Sequence, residues 1–177
     1  HKGRAMINSI TAEKSRYEKI LPLCKDYDCL LTALTLDEKG MPETAQDRFE
    51  LATIIMEICE RYGVPKDRIY FDPLVRPISA EQKQAKEFLG AIKLIKELGL
   101  KTIAGLSNIS FGLPKRQLLN KTFLPMAHSN GLDACIVDPL DISLMRTIMT
   151  SSTILGEDEY CKGYLKAYRQ GKLGSGL

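Results

Sequence analysis

Ile69-Tyr70-Phe71-Asp72-Pro73-Leu74 is a short run of branched and aromatic side chains that ends on a carboxylate and a proline. Such a run reads as a buried strand, and Pro73 biases Asp72 toward an extended backbone at its end. Four runs of the same kind surround it: Ala5 to Ile10, Cys29 to Leu36, Thr102 to Leu106 and Ala134 to Leu140. Between them the apolar residues take a helical period, most clearly Leu51, Ile54, Ile55, Ile58, Cys59 and Tyr62, then Phe88, Leu89, Ile92, Ile95 and Leu98. Thr44 with Asp47 and Ser79 with Gln82 sit three apart before two of these helices, as in a capping box or its near variant. Gly63 and Gly99 follow the periodic stretches as left-handed C-terminal caps would, and Pro65 blocks continuation beyond Gly63.

Strands alternating with helices predict a parallel sheet covered by helices, either open and doubly wound or closed into a barrel. The polar residues that end the five runs, Asn8, Asp37, Asp72, Asn108 and Asp138, are about 30 to 36 residues apart. Eight βα units built from ~250 residues repeat at roughly 31, so the spacing favours a parallel (β/α) barrel of TIM type. The 177 residues supply five or six units where eight are needed. The expectation is one barrel domain over residues 1–177 that lacks about three N-terminal βα units. An open five-stranded remnant exposes apolar strand edges, which predicts self-association, a partner chain or a lost segment laid against them.

Composition narrows the function classes. With 25 Lys plus Arg against 22 Asp plus Glu and no long run of one sign, nothing points to nucleic acid. No apolar stretch reaches the roughly 18 to 20 residues of a membrane span. The opening His1-Lys2-Gly3-Arg4 runs into strand-like sequence without a signal-peptide core, so the expected setting is cytoplasmic. Five cysteines without CxxC spacing argue for buried thiols rather than a disulfide framework or a zinc site.

In a barrel of this kind the strand ends converge on one mouth, where active sites lie. Asp72 there suits a planar heterocycle that offers two parallel N–H donors, and equally suits a helix cap or loop brace. Asp138-Pro139-Leu140 repeats the tripeptide, but Asp141 follows at once and reads as a helix cap. In Gly105-Leu106-Ser107-Asn108-Ile109-Ser110-Phe111-Gly112-Leu113-Pro114-Lys115-Arg116, the glycine permits close backbone approach, Ser107 and Asn108 offer adaptable hydrogen bonds, and Gly112 with Pro114 shapes a long loop. His128 falls within a helical run well past the strand end and reads as a surface or packing residue.

Taken in order, Met6-Ile7-Asn8-Ser9, Leu34-Thr35 with Gly40 and Pro42, Tyr70-Phe71-Asp72-Pro73-Leu74, Gly105 to Ser110, Asn120-x-x-Phe123-Leu124 and Gly131-Leu132-Asp133-Ala134 resemble the pterin-binding methyltransferase family. This family includes the methyltetrahydrofolate:corrinoid/iron-sulfur protein methyltransferases and the folate module of cobalamin-dependent methionine synthase. The resemblance runs from residue 4 to about residue 168. It implies a barrel that binds 5-methyltetrahydrofolate and passes its methyl group to the cobalt of a corrinoid, such as cobalamin, carried by a partner protein, with no metal bound directly. It assigns the pterin to Asn8, Asp72, Ser107, Asn108 and Arg116. Asp72 holds the aminopyrimidine edge with Asn8 nearby, Asn108 sits by N5, and Arg116 flanks the ligand or its acidic tail. A homo-oligomer, most simply a dimer, goes with it. The family supplies a further pterin-binding Asp from an early strand, and the sequence that would hold it is absent here. Two alternatives remain open: a dihydropteroate synthase-like enzyme, which needs Lys and Arg around a diphosphate, and a non-catalytic pterin-binding or assembly subunit.

Overall fold

A computed structural model describes residues 3–174, so His1 and Lys2 of the opening stretch lie outside the described residues. All five apolar runs form strands: β1 (Met6–Ile10), β2 (Leu30–Leu34), β3 (Ile69–Asp72), β4 (Lys101–Gly105) and β5 (Ala134–Ile136). Among the described residues six α-helices accompany them: α1 (Lys14–Asp26), α2 (Ala45–Arg61), α3 (Gln84–Glu97), α4 (Arg116–Ser129), α5 (Ile142–Ile154) and α6 (Lys162–Arg169). Where β2, β3 and β5 end before the apolar run does, the last residues turn into the loops of the mouth.

Local chemistry sets the helix ends. Thr44 Oγ1 accepts the Asp47 N–H at 3.1 Å, and the Asp47 carboxylate accepts the Thr44 N–H at 3.1 Å, closing a capping box on α2. Gly63 and Gly99 leave α2 and α3 with φ of 72° and 70°, a left-handed conformation that costs glycine little. The box expected at Ser79 and Gln82 is not formed. The Ser79 hydroxyl instead donates to the Phe111 carbonyl at 2.7 Å, and α3 starts after Lys83 with no side-chain cap. The loop after β4 competes successfully for that hydroxyl.

The strands are all parallel and pair in the order β1-β2-β3-β4-β5. A doubly wound sheet permutes this order and places helices on both faces. Sequential neighbours joined by crossovers of one hand place the connecting helices on one face, as in a barrel. The core agrees: Leu31, Ala33, Ile69 and Phe71 pack against Leu21 and Cys24 of α1 and Ala52, Ile55, Ile58 and Cys59 of α2. Ala104 packs with Phe88 and Ile92 of α3, Phe123, Leu124 and Ala127 of α4 and Leu144 of α5. Helix α3 serves both clusters, with Ile95 in the first and Phe88, its ring 5.6 Å from that of Phe123, in the second.

The architecture is a parallel α/β half-barrel. Among the described residues its other face carries no helix, and burial there falls toward the two outer strands. Ile103 on β4 is 5% exposed, whereas Met6 on β1 and Ile136 on β5 are 37% and 50% exposed. Among the described residues, β1 and β5 each pair on one side only. Cys24, Cys29 and Cys59 are buried and unbridged, and burial pushes the thiols of Cys24 and Cys59 up to about 12. No helix among the described residues is long and apolar enough to cross a membrane.

Candidate active site

The strand alternation decides which side chains meet on the helix-free face. Ile7 packs toward the helices, so Asn8 points the other way. Asn8 is in register with Thr32, Thr32 with Tyr70 and Tyr70 with Lys101; two residues further along, Leu34 is in register with Asp72. Asp72 therefore shares the face of Asn8, two strands away. At about 4.8 Å per strand and about 3.3 Å per residue the two backbone positions stand roughly 12 Å apart, a span that two side chains and a fused bicyclic heterocycle between them can fill.

Asp72 is 8% exposed. Its Oδ1 accepts the Leu74 N–H at 2.8 Å across Pro73, which is itself buried, and Leu74 takes a φ of 63° to make that turn. A left-handed leucine costs about 1–2 kcal/mol, tolerated here because the carboxylate and the proline fix the turn. Burial pushes the Asp72 carboxyl up to about 6, while the N–H groups of Leu74 and Gly105 pull the other way. Asp72 thus braces the loop and presents a carboxylate that is mostly ionised at neutral pH and takes up a proton as pH falls through about 6. The same carboxylate contact recurs where Asp138 Oδ1 accepts the Leu140 N–H at 2.9 Å, but there the carboxylate is exposed and the leucine is not left-handed. Asp141 caps α5 by accepting the Leu144 N–H at 3.0 Å.

Gly105 joins Asp72 to Asn108. Beyond it the chain makes a tight 3₁₀ turn over Leu106–Ser110, which brings Asn108 back over Gly105. The Nδ2 of Asn108 lies 3.3 Å from where a Cβ on residue 105 would stand, so a glycine gives the amide its place. Among the described residues the side-chain amides of Asn8 and Asn108 have no hydrogen-bond partner, and both are exposed. Unused amides beside a buried carboxylate can receive a ligand with several ring nitrogens.

Arg116, at the start of α4, turns back onto the loop. Its Nε donates to Ser110 Oγ at 3.0 Å, its Nη2 donates to the Ser107 carbonyl at 2.7 Å, and its guanidinium lies 5.9 Å from the Phe111 ring centroid. The Ser110 hydroxyl donates to Asn120 Oδ1 at 2.8 Å. These contacts clamp the turn that carries Asn108. Ser107 contributes its carbonyl to the clamp and leaves its side chain exposed. Just past β2, the N–H of Thr35 donates to the Asp72 carbonyl at 3.0 Å and ties the two strand ends together. Sequence reading saw Ser110 and Asn120 as part of a pattern but not as the brace, because only the backward turn of the loop brings Arg116 to them.

His128 lies at the far end of α4, about 18 Å of helix from Arg116 at 1.5 Å per residue, where its Nε2 is 2.9 Å from the Glu157 carboxylate. A cleft of about 430 Å³ lined by Lys96, His128, Asp133, Cys135 and Glu157 sits at that same end and shares no residue with the Asp72–Asn108 cluster. Among the described residues no three His, Cys, Asp or Glu side chains gather as metal ligands.

Residues 1–138 match the pterin binding enzyme family. The chain is 35% identical over 177 residues to methylcorrinoid:tetrahydrofolate methyltransferase of Eubacterium limosum, covering 98% of this chain and 65% of that protein. It is 36% identical over 160 residues to methionine synthase of Mycobacterium tuberculosis, covering 82% of this chain and 13% of that one. The methionine synthase of Mycobacterium leprae is 37% identical over 149 residues, 76% of this chain and 12% of the relative. The chain thus spans less than two thirds of each of these relatives. With a match over most of its length, this chain belongs to the pterin-binding enzyme family.

Proposed function

We propose that the chain binds tetrahydrofolate at the mouth of the half-barrel and catalyses methyl transfer between its N5 and the cobalt of a corrinoid held by a separate protein, in the direction from 5-methyltetrahydrofolate to cobalt(I). The observation that carries the reading is the cluster in which Gly105 brings the free amide of Asn108 beside the buried carboxylate of Asp72. Asp72 accepts the paired N–H donors of the aminopyrimidine edge, and Asn8 bonds the ring from β1. Asn108 lies where N5 changes basicity: as the methyl leaves, its electron pair stays on N5, which then takes up a proton. An amide cannot supply that proton, but it binds the protonated amine and orients water, and this interaction strengthens as the bond breaks. Arg116 and Ser107 keep the Asn108 turn in place. The same groups serve the reverse direction, the one in the name of the Eubacterium limosum relative, because a transition state is common to both.

In this reading residues 1–177 form one pterin-binding domain, the five strands are one arc of a TIM-type barrel, and about three further βα units complete it. If 177 residues correspond to 65% of the Eubacterium limosum relative, the other 35% is about 95 residues, the length of about three units at roughly 31 each. The edges of β1 and β5 that are unpaired among the described residues are where such units, or a second copy in a homodimer, would pair. A corrinoid protein as partner and a cytoplasmic setting complete the assignment. Of Lys115 and Arg116, the two cations that the diphosphate chemistry of a dihydropteroate synthase would call on, Arg116 already turns two nitrogens onto its own loop, which favours methyl transfer.

Calorimetric titration with tetrahydrofolate and 5-methyltetrahydrofolate, followed by single-turnover transfer to cob(I)alamin, tests the proposal. Saturable binding with transfer is expected. Binding without transfer would leave a non-catalytic subunit, and no binding would overturn the pterin assignment.

A further inference from the structure

Thr32, in the middle of β2, is 1% exposed, and its hydroxyl has no hydrogen-bond partner among the described residues. A buried hydroxyl without a partner destabilises the protein that carries it, and a valine would occupy the same space without that cost. The neighbours on its face are known from register: Asn8 on one side, Tyr70 on the other. Tyr70 is engaged beneath Lys101, whose Nζ is 5.2 Å from the ring centroid. Among the described residues the Asn8 amide has no partner. Paired positions on adjacent strands hold their Cβ atoms about 5 Å apart, so rotating the Asn8 side chain brings its amide within hydrogen-bond distance of the Thr32 hydroxyl.

We infer that Thr32 is a positioning residue for Asn8: its hydroxyl, donor and acceptor at once, takes one end of the Asn8 amide and leaves the other end facing a bound planar heterocycle. This rests on the pterin reading above. Without ligand the amide is solvated and the hydroxyl idle; with ligand the two bonds form together. Thr32 therefore sharpens binding without touching the ligand, and it fixes which flip of the amide the heterocycle meets.

The test measures tetrahydrofolate affinity and thermal midpoint for Thr32→Val, Thr32→Ser, Asn8→Ala and the Thr32→Val/Asn8→Ala double variant, all in the active protein. Thr32→Val is expected to weaken binding roughly threefold to tenfold, the worth of one hydrogen bond, with a thermal midpoint equal to or above that of the parent. Thr32→Ser should recover the affinity. In the Asn8→Ala background, Thr32→Val should change affinity by less than a factor of about two, since a residue acting through Asn8 has nothing left to position. Unchanged affinity in Thr32→Val, or an equal loss in both backgrounds, overturns the inference while leaving pterin binding intact. A lowered midpoint in Thr32→Val also overturns it, because the hydroxyl would then have a structural partner. Failure of the parent protein to bind tetrahydrofolate overturns the inference and the pterin reading together.

Discussion

Replacing Asp72 with Asn should make the protein more stable and a worse binder. The substitution removes a charge from a side chain that is 8% exposed and keeps an oxygen for the Leu74 N–H. Burial lifts this carboxyl from its ordinary 3.8 to about 6, so the folded protein holds the proton more tightly than the unfolded chain. Below pH 3.8 both states are protonated and the penalty is absent. Between about pH 4 and 6 the unfolded chain ionises first, and stability is lost as pH rises; above about pH 6 the loss is complete. From 3.8 to about 6, at about 1.36 kcal/mol per pH unit, the loss comes to about 3 kcal/mol. Asp72→Asn escapes it, so at pH 8 the variant should exceed the parent by up to about 3 kcal/mol, less whatever the Gly105 N–H contact contributes, and the difference should approach zero near pH 4. Urea denaturation at pH 4, 6 and 8 measures this directly. Binding moves the opposite way. Loss of a charge-assisted contact of about 2 to 3 kcal/mol should cut tetrahydrofolate affinity at pH 7.5 by roughly 30- to 150-fold. Parental affinity should itself weaken as pH falls below about 6. A variant no more stable than the parent at pH 8, with a difference that does not change down to pH 4, would refute the burial argument. Unchanged affinity would remove Asp72 from the binding site.

Asn108→Ala should depress single-turnover methyl transfer roughly tenfold or more while weakening tetrahydrofolate affinity by less, because its bond strengthens as N5 gains basicity; equal losses in affinity with an unchanged transfer step would reduce it to a positioning group. Gly105→Ala places a methyl group 3.3 Å from Asn108 Nδ2 and should lower the transfer rate while the thermal midpoint moves by only a few degrees; a parental rate would show that the amide is not seated there. Arg116→Ala should speed amide hydrogen exchange across residues 106–112 and slow methyl transfer roughly tenfold through a misplaced Asn108; unchanged exchange would mean that the clamp does not hold the turn.

The strands were legible because each is a compact run of branched and aromatic residues closed by a polar one, and the 30-odd residue spacing of those closing residues pointed to a barrel. What the spacing lacked was pairing order, and only the sequential order of the sheet excludes a doubly wound arrangement. Thr44 was legible as a cap because its partner is three residues away on the same helix. Ser79 was misread for a matching reason: its partner, Phe111, is 32 residues away. Asp72 and Asn108 were found as oddities at strand ends. Thr32 was invisible, since a threonine between Leu31 and Ala33 is ordinary strand sequence, and its meaning lies in what its hydroxyl does not touch. Arg116 was noticed, but its two bonds depend on a backward turn that no local pattern encodes.

Because each strand pairs with the next one along the chain, opening can start at either outer strand without disturbing the middle. Amide exchange should be slowest in β3, where Ile69 and Phe71 are fully buried, and fastest in β1 and β5. The two sides of the proposed pterin site therefore differ in stiffness. Asp72 stands on the slow central strand and keeps its position, while Asn8 stands on a strand free to breathe. A ligand can then anchor first on a preset carboxylate, and the softer amide side can close onto it afterward.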